Sequence, residues 1–389
     1  MKLNLKLKRN KKDYIVYFLT IILSLLLLYA GNQYAMKGVD FFDDEAIYST
    51  KARVVEILDR KTSETQYYPS TIIEEIHVKF TCEILTGEHK GEIVEAAQNI
   101  DSYIMHELKE VEVGDKIVLY ELRDEGFQTD WTLVQYVRAD TMIWLGAAFF
   151  VLLLLFGRFK GFNTIISLSF TCLAIFFVFI PSILSGKNIY LWSILTCIFT
   201  IAMTLMVIYG AGKKSYAAGL GCFGGIIVSG ALTQLMSKIL GLTGLVSDES
   251  YYLTMLETET PIDLKAIIFA AIIIGAMGAI MDVAISIASA LYEIKEQSEH
   301  QTPSSMIRSG IRIGQDMMGT MANTLILAYI GSSLSVVLLL LTYNSSMLDL
   351  MNREMVIIEI LQALIGSIGL LFTIPLTSIV CGLLYTKRS

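Results

Sequence analysis

Long apolar segments constrain this chain more than any other feature. Several of them approach or exceed the roughly 20 residues that a helix needs to cross a bilayer. The sequence is 54% hydrophobic and 17% charged, with a mean hydropathy of +0.59, which is too apolar for an ordinary soluble protein. We therefore predict an α-helical multi-pass membrane protein with about eight transmembrane helices, whose main partner is the lipid bilayer. The predicted spans are 14–30, 141–156, 163–184, 189–209, 216–240, 262–291, 317–343 and 355–385.

One polar segment, 37–140, interrupts the apolar pattern. It holds 23 of the 37 acidic residues and 11 of the 30 basic ones. Short runs rich in β-branched and aromatic residues, such as 72–85 and 116–122, alternate in polarity and are separated by glycine-containing turns, as in strands. About five such strands in roughly 100 residues predict a small all-β barrel of OB-like type between helices 1 and 2.

The chain is thus predicted to have three parts. Residues 1–36 form a basic tail and the first helix, residues 37–140 form the extracytoplasmic β-rich domain, and residues 141–389 form a seven-helix bundle. The first apolar segment could instead be a signal peptide. We favour an uncleaved helix, because no A-x-A cleavage site follows it and its apolar part is long.

The basic residues between spans predict the orientation. Cytoplasmic loops of membrane proteins are enriched in Lys and Arg. Alternate threading from a cytoplasmic N-terminus places the basic loops inside and the acidic segments 37–140 and 241–261 outside. We therefore expect a plasma-membrane protein with both termini in the cytoplasm. The residues that set this orientation are Arg158, Lys160, Lys213, Lys214, Lys295, Arg308, Arg312, Lys387 and Arg388, together with the lysines of the N-terminal tail.

Asp282 is the only ionisable residue in the apolar stretch GAMGAIMDVAISIASAL, residues 275–291. At helical spacing it shares one face with Gly278, Ser286 and Ser289. A carboxylate within the membrane is costly, so we expect it to face a cavity, water or a partner rather than lipid. Asp282 is the first candidate for a cation- or proton-binding transport site. The alternative is a buried acid whose hydrogen bonds hold the bundle together.

A second polar face is predicted in the next span. Asp316, Thr320 and Asn323 follow one another at intervals of four and three residues, so they share one side of a helix. They complete the candidate transport or ion site, and Asn323 is predicted to contact Asp282. Asp316 has a second interpretation, as an acid near the start of a helix that caps free N–H groups.

Small residues mark predicted helix contacts. Gly221 and Gly225 form a GxxxG pair, and Gly275 with Ala279 forms a related pair, a pattern that lets helices approach closely in membranes. The residues that we assign to helix packing are Gly275, Gly278, Ser286, Gly319, Gly221 and Gly225.

Two of these stretches also carry a family resemblance. GAMGAIMDVAISIASAL, followed by IGQDMMGTMANTLILAY, resembles the signature of the YibE/F-like family of bacterial membrane proteins. VKFTCEILTGEHKG, VGDKIVLY and VQYVRADTMIWLG resemble the extracytoplasmic domain of that family and its entry into the next helix. The resemblance extends from about residue 50 to the end. It implies a multi-pass membrane protein with this order of domains, and it implies no particular reaction.

Other classes of site are not indicated. The five cysteines form no CxxC pair, and His77, His89 and His106 lack metal-ligand spacing, so we predict neither a metal nor a cofactor. No nucleotide-binding loop or nucleophile motif occurs, which argues against an enzyme, and no basic aromatic face indicates nucleic-acid binding.

Three functions remain for comparison. A transporter or permease for a small solute or ion accounts for Asp282 and the glycine-rich helices. A membrane scaffold whose outer β-domain binds an envelope protein or polymer accounts for the acidic domain. An intramembrane aspartyl protease would use Asp282 and Asp316, but Asp316 lacks the G-x-G-D sequence. A homo-oligomer is compatible with each.

Overall fold

The computed structural model describes residues 11–37, 48–67, 71–101, 109–122, 129–256, 260–297, 301–343 and 346–386. The N-terminal residues before Lys11, together with Lys387 and Arg388, lie outside these ranges, as does His106. The chain divides into two compact units. One comprises Met1–Val39 and Leu153–Ser389, and the other comprises Asp40–Leu152.

The smaller unit contains a closed five-stranded barrel. Its strands follow helix α1 (Lys11–Ala35) and are β1 (Ser49–Tyr67), β2 (Thr71–Ile84), β3 (Ile93–Asp101), β4 (Lys116–Tyr120) and β5 (Trp131–Tyr136). Around the barrel they follow the order β1-β2-β3-β5-β4, and β3 pairs with β5 in parallel while the other pairs are antiparallel. The sequence therefore predicted the small β-barrel correctly.

Alternation along the strands fills the barrel. Phe80 and Cys82 point inward from β2, and Ile117 and Leu119 point inward from β4; all four are almost fully buried. The polar side chain of Gln98 is also buried in this unit. Its carboxamide accepts a hydrogen bond from the backbone N–H of Val111 (2.8 Å) and donates one to a neighbouring carbonyl oxygen (3.0 Å), so burial does not leave it unsatisfied.

The larger unit is helical. After α2 (Ala139–Leu173) come a π-helical segment (Ala174–Phe179) and a series of helices separated by short connections. These are α3 (Ile180–Leu184), α4 (Ile189–Tyr209), α5 (Lys213–Ile239), α6 (Asp248–Met255), α7 (Leu264–Gln297), α8 (Pro303–Ser332), α9 (Leu334–Tyr343), α10 (Met347–Asn352) and α11 (Glu354–Thr386).

The predicted count of eight spans is not confirmed. Among the described residues, six helices are long and apolar enough to cross a membrane, and the α8–α9 pair, bent by 59°, would make a seventh. The count depends on Ala139–Leu184, which enters it as one long run. Two helices meet within this run at a kink at Arg158, between the predicted spans 141–156 and 163–184. That residue has φ 49° and ψ −127°. Beyond the interruption, a Cβ on Gly161 would overlap the Leu153 carbonyl oxygen.

Helices α5, α7 and α11 pack against one another at the centre of the bundle, and α8 contacts α11 as extensively as α5 does. Ile280 of α7 is fully buried between them. A Cβ on Gly225 of α5 would lie 3.0 Å from the Ile280 side chain, and one on Gly369 of α11 would lie 3.2 Å from it. Helices α4 and α8 pack against α7 from outside this centre.

Candidate functional site on helix α7

Helix α7 leaves one stripe uncovered. Asp263, just before the helix, caps it by accepting hydrogen bonds from the backbone N–H groups of Lys265 (3.0 Å) and Ala266 (3.2 Å). Most apolar residues of α7 are buried, but Gly275, Gly278 and Asp282 are exposed. These three positions recur at intervals of three and four residues, so they form one continuous stripe along the helix.

The stripe runs between α4 and α8. One turn beyond Asp282, Ile285 lines a small pocket with Leu205 and Tyr209 of α4. On the other flank, a Cβ on Gly275 would lie 2.5 Å from the hydroxyl oxygen of Tyr329, which belongs to α8. Asp282 therefore lies on an exposed stripe of α7 that α4 borders on one side and α8 on the other.

No described residue forms a hydrogen bond or an ion pair with the Asp282 carboxylate. The carboxylate is within electrostatic range of the Tyr209 hydroxyl and the Cys222 thiol, and neither group is a cation that could neutralise it. The interpretation of Asp282 as a bundle-stabilising acid requires hydrogen-bond partners on a neighbouring helix. The described part of the chain supplies none.

Tyr329 is a second polar group on this stripe that the sequence did not indicate as a site residue. Its hydroxyl oxygen is buried and has no hydrogen-bond partner among the described residues. It lies beside Gly275, two helical turns from Asp282 along α7. From the sequence, a tyrosine at the end of an apolar run is usually interpreted as an anchor at the membrane interface. Only its contact with Gly275 shows that Tyr329 lies beside α7.

The predicted polar face of α8 does not meet Asp282. Asp316, Thr320 and Asn323 are all exposed, and the buried residues of this helix include Gly310 and Gly314. The Thr320 hydroxyl donates to the Met317 carbonyl of its own helix (2.9 Å). The expected Asn323–Asp282 hydrogen bond is therefore not formed, because the polar face points away from the bundle.

The capping interpretation of Asp316 is also wrong. Helix α8 begins at Pro303, and its cap is Thr302, whose hydroxyl accepts a hydrogen bond from the Ser305 N–H (3.2 Å). Asp316 is therefore more than three turns inside the helix. Asp282 and Asp316 form no hydrogen bond with each other, so the structure gives no support to a proton-sharing acid pair.

The predicted packing glycines fall into two groups. Gly221 and Gly225 pack against α11, where an added Cβ would overlap the hydroxyls of Thr377 and Thr373 respectively. An added Cβ on Gly278 or Gly319 would meet no atom of the described residues within 4 Å, because both glycines lie on exposed stripes. Ser286 is half-buried.

The contact between α5 and α11 contains a row of hydroxyl groups that the sequence analysis missed. Ser229, Thr373 and Thr377 are fully buried, and the hydroxyl oxygens of Ser229 and Thr377 have no partner among the described residues. Their spacing could have revealed them, since both helices carry small or hydroxylated residues every fourth position. These are Gly221, Gly225, Ser229 and Thr233 on α5, and Gly369, Thr373 and Thr377 on α11.

The described residues contain no group of three or more His, Cys, Asp or Glu side chains arranged to hold a metal ion. His89 of the barrel unit pairs with the Glu92 carboxylate (3.0 Å). His77 lies near Glu75 (3.5 Å) and bonds Asn99 (2.8 Å). These imidazoles have surface partners.

The fold and the apolar helices define a class, that of integral membrane proteins with a helical bundle and a small β-barrel unit. The sequence model of a family described as YibE/F-like protein matches residues 145–387. This is more than half of the chain, which therefore belongs to the YibE/F-like family. The matched region contains Asp282 and α8. It does not include the barrel, so the resemblance noted from about residue 50 lies partly outside the match. Comparison with curated proteins and with solved structures gives no match.

Proposed function

We propose that this protein is a transporter or permease for a small solute or ion, and that Asp282 binds a cation or a proton during transport. The observation that carries the proposal is the exposed Asp282 carboxylate, which has no partner among the described residues although it lies in a long apolar helix. Such a group requires water or a bound cation.

The surroundings of Asp282 suit this role. Gly278 leaves the stripe without a side chain one turn from the carboxylate, so an ion or a small solute has room to approach. The Tyr329 hydroxyl, placed further along the same stripe, adds a group that can both donate and accept a hydrogen bond. The proposal includes the predicted orientation, with both termini in the cytoplasm of the cell and residues 37–140 outside.

Flux through purified protein tests the proposal. The full chain is reconstituted in liposomes with an internal pH-sensitive dye, and proton uptake is measured under a potassium diffusion potential; a parallel series uses radioactive Na⁺. We expect flux above that of empty liposomes for the wild type and for Asp282→Glu, and its loss in Asp282→Asn. Asp349→Asn is the matched control, because Asp349 is exposed on the short helix α10.

Two outcomes would contradict the proposal. One is wild-type flux equal to that of empty liposomes for both ions. The other is equal flux through the wild type and Asp282→Asn, which would leave Asp282 without a role in transport.

A second candidate function is a scaffold in which the barrel unit binds an envelope protein or polymer. It is favoured by a cleft of about 360 Å³ on that unit, lined by polar and aromatic side chains: His89, Glu92, Glu121, Asp130 and Trp131. The strand order and the parallel β3–β5 pair support an OB-like description, and such folds use their surface to bind polymers. Deletion of residues 45–138 separates the two functions. The transport proposal predicts that ion flux survives the deletion. The scaffold function requires no ion flux, either with or without these residues.

A further inference from the structure

The outward face of α8 presents a row of polar residues to its surroundings. Towards the bundle, a Cβ on Gly314 would overlap Ile374 of α11, and one on Gly366 of α11 would lie 2.9 Å from Leu325. The opposite side of α8 carries four exposed positions at intervals of four, three and four residues. These four, which we call the α8 polar stripe, are Arg312, Asp316, Gly319 and Asn323.

Two contacts with α11 give the depth of the stripe. Gly314 lies beside Ile374, and Leu325 lies beside Gly366, so α8 and α11 run in opposite directions. Interpolation between these contacts places Asn323 at about the level of Ser367, near the middle of α11 (Glu354–Thr386). A helix of this length and hydropathy is long and apolar enough to cross a membrane. In a membrane-spanning α11, the level of Ser367 falls in the hydrocarbon region.

Lipid tails therefore cannot supply the hydrogen bonds that the Asn323 side chain requires. Its carboxamide has two donors and an acceptor, and no described residue forms a hydrogen bond with it. The next polar residues of the stripe, Arg312 and Asp316, take part in no ion pair among the described residues. Exposing such groups to lipid tails is costly, and membrane helices place them against another protein surface or water.

We propose that the α8 polar stripe is the contact between two copies of this chain, related by a two-fold axis. Copies inserted in the same membrane have the same orientation, so the two α8 helices are parallel. Intervals of four and three residues are those of a parallel two-helix contact. Each residue then faces its own counterpart or a neighbour one turn away, as an interface made of one repeated patch requires.

The chemistry of the stripe is complementary to itself. An asparagine can donate to and accept from an identical asparagine across the axis, and polar residues at such positions fix the partner and register of paired helices. Arg312 of each copy can reach Asp316 of the other. Gly319 lets the backbones approach, since an added Cβ there would meet no atom within 4 Å in the described part of the chain. The inference does not depend on the proposed transport activity.

Cysteine cross-linking in liposomes tests the contact. Of the native cysteines only Cys172 is exposed, so Cys172→Ala is the background. Asn323→Cys and Gly319→Cys are oxidised with copper phenanthroline, and Phe372→Cys is the matched control. Phe372 of α11 is 50% exposed and lies at a similar depth, between the residues that contact Leu325 and Gly314. We expect covalent dimers for both test positions and none for the control, because a disulfide needs Cα atoms roughly 4.4–6.8 Å apart.

Charge reversal tests the pairing without cysteines. Arg312→Asp and Asp316→Arg should each weaken dimerisation, measured by single-molecule photobleaching in lipid, and the double variant should restore it. Asn323→Leu should weaken the dimer by about 3- to 30-fold, as expected for loss of an interhelical hydrogen bond, whereas Asn323→Gln should weaken it less.

Three results would overturn the proposal. These are a wild-type chain that is monomeric at every protein density, cross-linking equal at Phe372 and at the stripe, and a double charge reversal no better than its parents. Modification of Asn323→Cys by a charged thiol reagent without any cross-link would show that the stripe borders water instead.

Discussion

Gly225 of α5 and Gly369 of α11 face each other with their backbones in near contact. A Cβ on Gly225 would lie 3.1 Å from the Gly369 carbonyl oxygen, and a Cβ on Gly369 would lie 3.3 Å from the Gly225 carbonyl oxygen. The relationship is reciprocal, so neither helix can accept a side chain here without moving. This contact sets the distance between α5 and α11. Helix α7, which carries Asp282, packs against both of them.

We expect Gly225→Leu to destabilise the bundle by about 1–3 kcal/mol or more, because the added side chain would overlap Thr373 and Ile280. Thermal unfolding of the purified full chain in detergent measures the effect. Gly278→Leu is the control, since a Cβ there would meet nothing within 4 Å among the residues that the structure describes. Equal melting temperatures for the two variants would show that the α5–α11 contact is looser than described.

The buried Gln98 makes a separate prediction for the barrel. Gln98→Leu removes the acceptor for the Val111 N–H and leaves that group buried without a partner, which costs about 1–3 kcal/mol. Hydrogen exchange of the peptide containing Val111 should accelerate in the full chain. Gln135→Leu, at an exposed position of β5, should leave this exchange unchanged, and a similar acceleration in both variants would contradict the account.

Substitutions at two glycines of the barrel unit can distinguish the cost of backbone strain from the cost of steric overlap. Gly87 (φ +83°) and Gly114 (φ +93°) both adopt a left-handed conformation, but only at Gly87 would a Cβ overlap another group, the Tyr48 hydroxyl. Gly114→Ala should cost about 1 kcal/mol from the conformation alone, and Gly87→Ala should cost more. Denaturation of the two full-length variants by urea provides the comparison, and the reverse order would refute the described turn.

Cys82 is predicted to be unreactive in the folded protein. Burial in the barrel raises the pKa of its thiol to about 12, so only about one thiol in 10,000 is ionised at pH 8, and the thiolate is the reactive form. A water-soluble maleimide should label Cys82 at pH 8 only after denaturation. Labelling of native protein at the rate of a free thiol would mean that the barrel interior is open.

The sequence predicted those features that depend on regular patterns. Alternation in 72–85 and 116–122 predicted strands of the barrel, and apolar length predicted the helices. The sequence also predicted a break between residues 156 and 163, and the backbone of Arg158 leaves the helical conformation there. Glycine spacing located Gly221 and Gly225 but did not identify α11 as the helix that they contact.

The direction in which a polar face points was harder to predict. Periodicity correctly grouped Asp316, Thr320 and Asn323 on one side of α8, but it could not tell whether that side meets α7 or leaves the bundle. The small residues Gly310 and Gly314 on the opposite side pack against α7 and α11. The polar side of α8 therefore faces away from the bundle. The same ambiguity hid Tyr329, whose location depends on the packing of α8 against Gly275.

The most direct test of the transport proposal is whether water reaches position 282. Asp282→Cys, in a Cys172→Ala chain reconstituted in liposomes, is exposed to a positively charged methanethiosulfonate reagent. The control is Leu220→Cys on α5, which is 54% exposed. It lies at a similar depth, because nearby Ala218 shares a pocket with Ile285 and Gly225 lies beside Ile280. We predict rapid modification at 282 and none at 220; equal resistance at both positions would place Asp282 in a dry environment and contradict the transport role.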